Sequence, residues 1–222
     1  VKASAWNLKK LQLELGGRGP NIVFEDANIP MAVGGSAFAI FHNQGQACIA
    51  GSRLMLHESI ADAFLEKFIG LAKSIRLGDP LSAETEMGPL TSKMHLDRVL
   101  AYCDVAVEQG GEILCGGKVP DDPALADGYF VEPTIVRAKA TDRVSCEEVF
   151  GPFVVVTTFK DDEEALAEAN NTAYGLGSGL WTNNLTRAHR FADGIHAGMV
   201  WINSYKRVHP ASPPGGCGEP GS

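Results

Sequence analysis

Asn43-Gln44-Gly45-Gln46-Ala47-Cys48-Ile49-Ala50-Gly51-Ser52-Arg53 places a cysteine among small residues. An almost unbroken small or apolar run, Ala32 to Phe41, comes before it, and the strand-like Leu54-Met55-Leu56 follows. A thiolate that attacks a carbonyl needs an open approach, which Gly, Ala and Ser neighbours leave. Backbone N–H groups in a small-residue turn can also hold a thiolate or an oxyanion. The same residue reads equally as a small buried hydrophobe, the usual state of a free cysteine. A lone cysteine does not decide between the two.

Three further stretches bear on that choice. Upstream, Leu13-Glu14-Leu15-Gly16-Gly17 sets a carboxylate between leucines and before two glycines. Partial desolvation there would raise its pKa toward general-base work, whereas on a short alternating strand Glu14 would simply face outward. Downstream stands Glu147-Glu148-Val149-Phe150-Gly151-Pro152. A carboxylate can accept two hydrogen bonds from a ribose diol and an aromatic ring can pack on a nicotinamide; the plain alternative is a turn into the next strand. Trp201-Ile202-Asn203 lies near the end.

Together, and in this order, the four stretches resemble the NAD(P)-dependent aldehyde dehydrogenase superfamily, over about residues 7 to 213. The resemblance implies that Cys48 is the nucleophile and Glu14 the general base. It also implies that Glu148 contacts the ribose of the nicotinamide, that Phe150 positions its ring, and that Gly16 belongs to the cofactor side. The implied reaction oxidises a small-molecule aldehyde to a carboxylic acid with NAD or NADP through a thiohemiacetal and a thioester. A glutamate at position 14 favours hydrolysis over acyl transfer to coenzyme A. Two other readings stay open: a cofactor-independent thiol esterase using Cys48 and Glu14, and a non-enzymatic, self-associating fragment.

The periodicities support an α/β fold, a parallel sheet covered by helices on both faces, because short apolar strands alternate with helical runs. Strands are expected at 21–24, 53–57, 112–115, within 129–136, and at 153–157, 178–182 and 199–203. Helices are expected at 3–12, 28–43 (capped by Asp26 or Asn28, with Pro30 in the first turn), 59–74 (capped by Ser59), 92–109, 161–171 and 185–195. On the third of these, Ile60, Phe64, Phe68, Leu71 and Ala72 share one face; on the fourth, Leu96, Val99, Leu100, Cys103 and Val107 share a stripe, which makes Cys103 a core residue. The acidic stretch holding Asp121, Asp122 and Asp127 lacks calcium-loop spacing and reads as a solvated loop.

Composition narrows the partners. The chain has 222 residues, enough for a substantial core, with 45% hydrophobic and 21% charged residues. A net charge of −8 argues against nucleic acid. No apolar run is long enough to cross a bilayer, so no membrane partner is expected. Cysteines at 48, 103, 115, 146 and 217 form no C-x-x-C pair, and the six histidines form no ligand pattern; no metal is expected. A reducing, cytoplasmic compartment fits best.

The resemblance also implies a division of the chain. Residues 1–20 would be the last strip of a cofactor-binding domain, 21–213 the thiol-bearing catalytic domain, and 214–222 an atypical tail. No G-x-G-x-x-G stands between a strand and a helix (Gly216, Gly218 and Gly221 have the spacing but follow no strand), so the upstream part of the cofactor domain, with its oxyanion-hole asparagine, is expected to lie outside this sequence. The tail reads Ser212-Pro213-Pro214-Gly215-Gly216, where relatives carry an aromatic in place of Pro214. A homo-oligomer is expected for the complete family protein.

Overall fold

The computed structural model describes residues 2–7, 9, 15–208 and 215–217. Seven strands form one sheet: β1 (Pro20–Val23), β2 (Arg53–His57), β3 (Glu112–Cys115), β4 (Thr134–Arg137), β5 (Phe153–Phe159), β6 (Gly177–Trp181) and β7 (Met199–Ile202), in the order β3-β4-β5-β2-β1-β6-β7. Every pairing is parallel except β3 with β4. The exception has a local cause. Gly116 and Gly117, both at positive φ, turn the chain back, and a bulge between Ile113 and Cys115 shifts the register.

Apolar residues on the central strands alternate between two covered faces, as the pleat requires. Leu54, Leu56, Val154 and Val156 point toward α1 (Ile29–Phe41) and α2 (Ala61–Ser74), packing with Ile40, Phe64 and Phe68. Ile22, Met55 and Leu180 point the other way, toward α5 (Asp162–Asn170) and α6 (Leu185–Gly194). On that second face α3 (Lys93–Glu108) covers Val136, Phe153 and Val155. Each such buried side chain contributes roughly 1.5–3 kcal/mol of transfer free energy. The two-faced sheet expected from the sequence is therefore present.

Helix α1 starts where Asn28 Oδ1 accepts the Met31 N–H at 3.2 Å, with Pro30 in the first turn, so Asn28 is the cap. Gly35 lets the Trp181 indole lie against the helix, whereas Gly34 faces open space. Three helix details differ from expectation. Ser59 does not cap α2; its N–H is bonded to His57 Nδ1 in a short 3-10 turn, and α2 begins without a side-chain cap. On α2 Leu65 turns inward and Leu71 stays partly exposed; on α3 Ala106 takes the inward place expected of Val107, which is 57% exposed. In both helices the rest of the stripe is where the spacing puts it: Phe64, Phe68 and Ala72 on α2, and Leu96, Val99 and Cys103 on α3, are buried. The connection around Arg143 contains a short helix, α4 (Arg143–Cys146). At the N-terminus, Lys2–Asn7 forms a 3-10 helix. Among the described residues no helix is long and apolar enough to cross a membrane.

Candidate active site

The chain leaves α1 through a left-handed turn. Asn43, Gln44 and Gly45 have φ of 56°, 57° and 66°. Asparagine tolerates this region and glycine favours it; glutamine does not, and holding it there costs of order 1 kcal/mol. Side chains secure the turn: Asn43 Nδ2 donates to the Gln46 carbonyl at 2.9 Å, and Gln46 Oε1 accepts the Thr91 N–H at 3.1 Å. Gly45 is needed twice over, for its φ and because a Cβ there would collide with the Gly151 carbonyl. Next, Ala50 N–H donates to Ala47 O at 2.9 Å, so Cys48 occupies a tight turn at the N-terminal side of β2. Cys48 is partly exposed.

The strip Gly16-Gly17-Arg18-Gly19 runs along this turn. Gly17 lies so close to the Cys48 carbonyl that a Cβ would overlap its oxygen and stand 3.0 Å from its carbon. Gly17 N–H donates to Glu148 Oε1 at 2.8 Å, across 131 positions of sequence. Glu148 Oε2 faces Gly16, where a Cβ would come within 2.8 Å of it. The structure thus brings Cys48, Gly16, Gly17 and Glu148 to one place. Phe150 joins them, lining with Gly17, Ala47 and Glu148 a narrow cleft of about 10 Å³. Its φ of 62° is left-handed, and its carbonyl accepts from His95 Nε2 at 2.6 Å. That bond holds an aromatic ring in a half-exposed position a relaxed backbone would not give it. Glu14 lies outside the described residues.

The two adjacent glutamates are clearly separated by their partners. Glu147 accepts Arg143 Nε and Nη2 at 2.9 Å each and the Tyr102 hydroxyl at 2.7 Å. These hydrogen bonds, Arg143 first, hold its carboxyl down at about 2. Glu147 faces outward and is committed, whereas Glu148 faces the cysteine strip.

Beneath the strip sit two buried arginines that the sequence reading did not single out. Arg18, 1% exposed, donates to the carbonyls of Val144 and Ser145. Burial lowers its pKa to about 9; Arg53 adds to the fall and Glu148 opposes it. Arg53 donates to Arg18 O at 3.0 Å, Glu168 O at 3.0 Å and Ala169 O at 2.7 Å. Burial lowers its pKa to about 10. A fully fluid Gly-rich strip would have little reason to stay on the cysteine turn; these fixed bonds supply one. The signal was present as an arginine inside Gly17-Arg18-Gly19 and another opening a strand.

Beyond β7 the chain turns twice more through left-handed residues, Asn203 (φ 50°) and Lys206 (φ 56°). Asn203 is fixed to both backbone atoms of Thr182, accepting from N at 3.1 Å and donating to O at 2.9 Å. This returns Tyr205 against Trp201, ring centroids 4.9 Å apart, and brings Lys206 back to α1, its ammonium 3.5 Å from the His42 carbonyl. Lys206 was also missed, although it follows the Trp-Ile-Asn stretch within three positions.

The buried cysteines are chemically unlike Cys48 in setting. Burial pushes the Cys103 thiol up to about 12 and also raises Cys115, so Cys103 is a core residue as its helix spacing implied.

A thiol on a glycine-crossed turn, with a carboxylate distant in sequence and an exposed aromatic beside it, is carried by a mostly parallel α/β sheet. The sequence model of the aldehyde dehydrogenase family matches residues 1–222. The chain belongs to the aldehyde dehydrogenase family. It is 43% identical to betaine aldehyde dehydrogenase of Bacillus subtilis (strain 168), over 97% of this chain and 44% of that protein. Among solved structures, PnpE from Pseudomonas sp. WBC-3 is 70% identical and superposes with a TM-score of 0.96, covering all of this chain and 45% of that one. PnpE in complex with nicotinamide adenine dinucleotide matches equally well. The chain therefore spans less than half the length of these relatives.

Proposed function

We propose that this chain forms the thiol-bearing part of an enzyme that oxidises an aldehyde to a carboxylic acid, with Cys48 as nucleophile. The observation that carries the reading is the convergence of the Cys48 turn and the Gly16–Gly17 strip with Glu148 and Phe150, which stand 100 or more positions further along the sequence. The family membership supports it.

The residues fit the nicotinamide end of NAD, which relatives are seen to bind. Glu148 offers Oε2 on a side that Gly16 leaves without a Cβ, suited to accept from a ribose diol, and the exposed Phe150 ring offers a face for packing. When bound, the cofactor supplies a hydride acceptor. The protein's own residues do the rest. Cys48 Sγ attacks the aldehyde carbon, and the resulting oxyanion receives the Cys48 backbone N–H. After oxidation the acyl group is held on sulfur as a thioester. Glu14 deprotonates the water that hydrolyses it, returning the thiolate and releasing the acid.

In this reading residues 1–20 are the end of the cofactor domain and 21–213 the catalytic domain, acting in a homo-oligomer. Five thiols without a disulfide suit a reducing cytoplasm. The test is Glu14→Gln in the NAD-dependent protein: a thioester adduct on Cys48 should accumulate, seen as an acyl mass increment. Unimpaired turnover by Glu14→Gln, or turnover by Cys48→Ser, defeats the assignment.

A further inference from the structure

A cavity of about 390 Å³ lies between the exposed side of α1 and the Asn203–Arg207 turn. Its walls include Met31, Phe38, Trp181 and Asn203, with Lys206 among them. The volume suits a small organic molecule of several carbons. Most of that wall is apolar or neutral; the exceptions are the Lys206 ammonium and the Arg207 guanidinium.

Lys206 is unusual on three counts. Its backbone is held at φ 56°, a conformation that lysine rarely adopts, so the loop spends free energy to aim this side chain inward. The ammonium is within electrostatic reach of the Cys48 sulfur, and it lies 5.9 Å from the Phe38 ring centroid and 3.5 Å from the His42 carbonyl. Among the described residues no carboxylate pairs with it, whereas Arg187 alone engages Glu25, Asp26 and Asp162. Burial brings the Lys206 pKa down to about 8, and the Cys48 charge opposes that fall. The other titratable groups facing it do not replace it. Burial, with help from Lys206, lowers His42, which therefore stays neutral at pH 7 and above; burial raises the Tyr205 hydroxyl, which also stays neutral. Arg207, on the same turn, adds further positive charge to the cavity wall.

A partly desolvated cation without a counter-charge is costly unless a ligand supplies one. We propose that the aldehyde accepted at Cys48 is a semialdehyde, bearing a carboxylate a short chain away from the aldehyde carbon, and that Lys206 is the residue that selects it. This rests on the proposed function, which supplies the aldehyde and the nucleophile.

Charge selection can be read at the thiol without turnover. Iodoacetate and iodoacetamide alkylate the same sulfur by the same displacement, carbon–sulfur bond forming as iodide leaves, and differ in charge at the far end. The rate ratio of iodoacetate to iodoacetamide at Cys48, divided by the same ratio at exposed Cys146, removes intrinsic reactivity. One cation at contact range in a half-buried site is expected to raise it about three- to tenfold. The preference should fall as pH rises through about 8, persist above pH 8 in Lys206→Arg, and drop at least twofold in Lys206→Gln, Arg207 alone remaining on the wall. Unreacted Cys103 in the same digest reports that each variant is folded. A Cys48 that reacts with both reagents at the Cys146 ratio, unchanged by Lys206→Gln, overturns the proposal. Lys206→Gln slowing both reagents equally overturns it too, because the lysine would then serve only the thiolate. If Cys48 shows no preferential reaction with either reagent over Cys146, the proposed function itself fails.

Discussion

Gly17→Ala tests the contact on which the site depends. The backbone at Gly17 is not in the left-handed region, so alanine is conformationally allowed there and only the missing space is at issue. The new methyl would overlap the Cys48 carbonyl oxygen and lie 3.0 Å from its carbon, both backbone atoms in a tight turn. Relief requires the strip and the turn to part by about 1 Å or more, given ordinary contact distances near 3.5–4 Å. That separation also stretches the 2.8 Å bond from Gly17 N–H to Glu148. Overpacking of this kind costs about 1–3 kcal/mol, and a lost bond to a charged group about 1.5–3 kcal/mol. The expected destabilisation is therefore about 2.5–6 kcal/mol, which lowers Tm by roughly 5–24 °C in a chain of this size. Gly70→Ala is the control: it lies inside α2 with nothing within 4 Å and should stabilise by up to about 1 kcal/mol. The assay is thermal unfolding by circular dichroism alongside the rate of Cys48 alkylation. If Gly17→Ala melts with the wild type and its Cys48 reacts at the same rate, the strip does not lie on the cysteine turn and the site geometry is wrong.

Other outcomes follow from the same structure. Arg53→Ala leaves the carbonyls of Arg18, Glu168 and Ala169 without their donor and should cost about 3–5 kcal/mol in urea unfolding; Arg53→Lys cannot span the three and should recover little. The Glu147 pKa is depressed in the folded state, so its contribution to stability is present above the unfolded value near 4.3 and lost as pH falls toward 2. Glu147→Gln should flatten the wild-type loss of stability between about pH 4.5 and 2, and an unchanged acid profile would show that Arg143 and Tyr102 are not its partners. In the native protein at pH 8, iodoacetamide should label Cys48, Cys146 and Cys217 well before Cys103, which burial holds near 12; early labelling of Cys103 would contradict the packing of α3.

The sheet was legible because its strands are apolar on both faces and are separated by amphipathic helices whose periodicity survives in sequence. Asp26 or Asn28 ahead of Pro30 marked the start of α1 for the same local reason, and the structure selects Asn28 as the cap. The misplacements on α2 and α3 came from tertiary contact. Leu71 and Val107 satisfy the helical spacing as well as Leu65 and Ala106 do, and only the neighbouring layer decides which row is covered. At the site, Cys48, Gly16, Glu148 and Phe150 were named through resemblance, since six residues such as Glu147 to Pro152 say little alone. Which glutamate faces inward depends on Arg143 and Tyr102, four and 45 positions away from Glu147. Lys206, Arg18 and Arg53 went unread for a similar reason, the position of the two arginines being only a faint signal. A charged residue reads as solvated until its burial is known, and burial is a property of the whole fold.

The order of strands in the sheet also sets the order in which the molecule can be made. Strand β1, at residues 20–23, is central, but one of its two neighbours is β6, and the Asn21 side chain meets Trp181 160 positions later. At translation rates of about 5–20 residues per second, β1 waits roughly 8–30 s on the ribosome before its second partner emerges. The Gly17 strip waits almost as long for Glu148. During that interval the Cys48 segment has been synthesised and its charged and aromatic companions have not. A nascent chain of this protein therefore carries its thiol exposed to oxidants and electrophiles before the finished fold can select what reaches it.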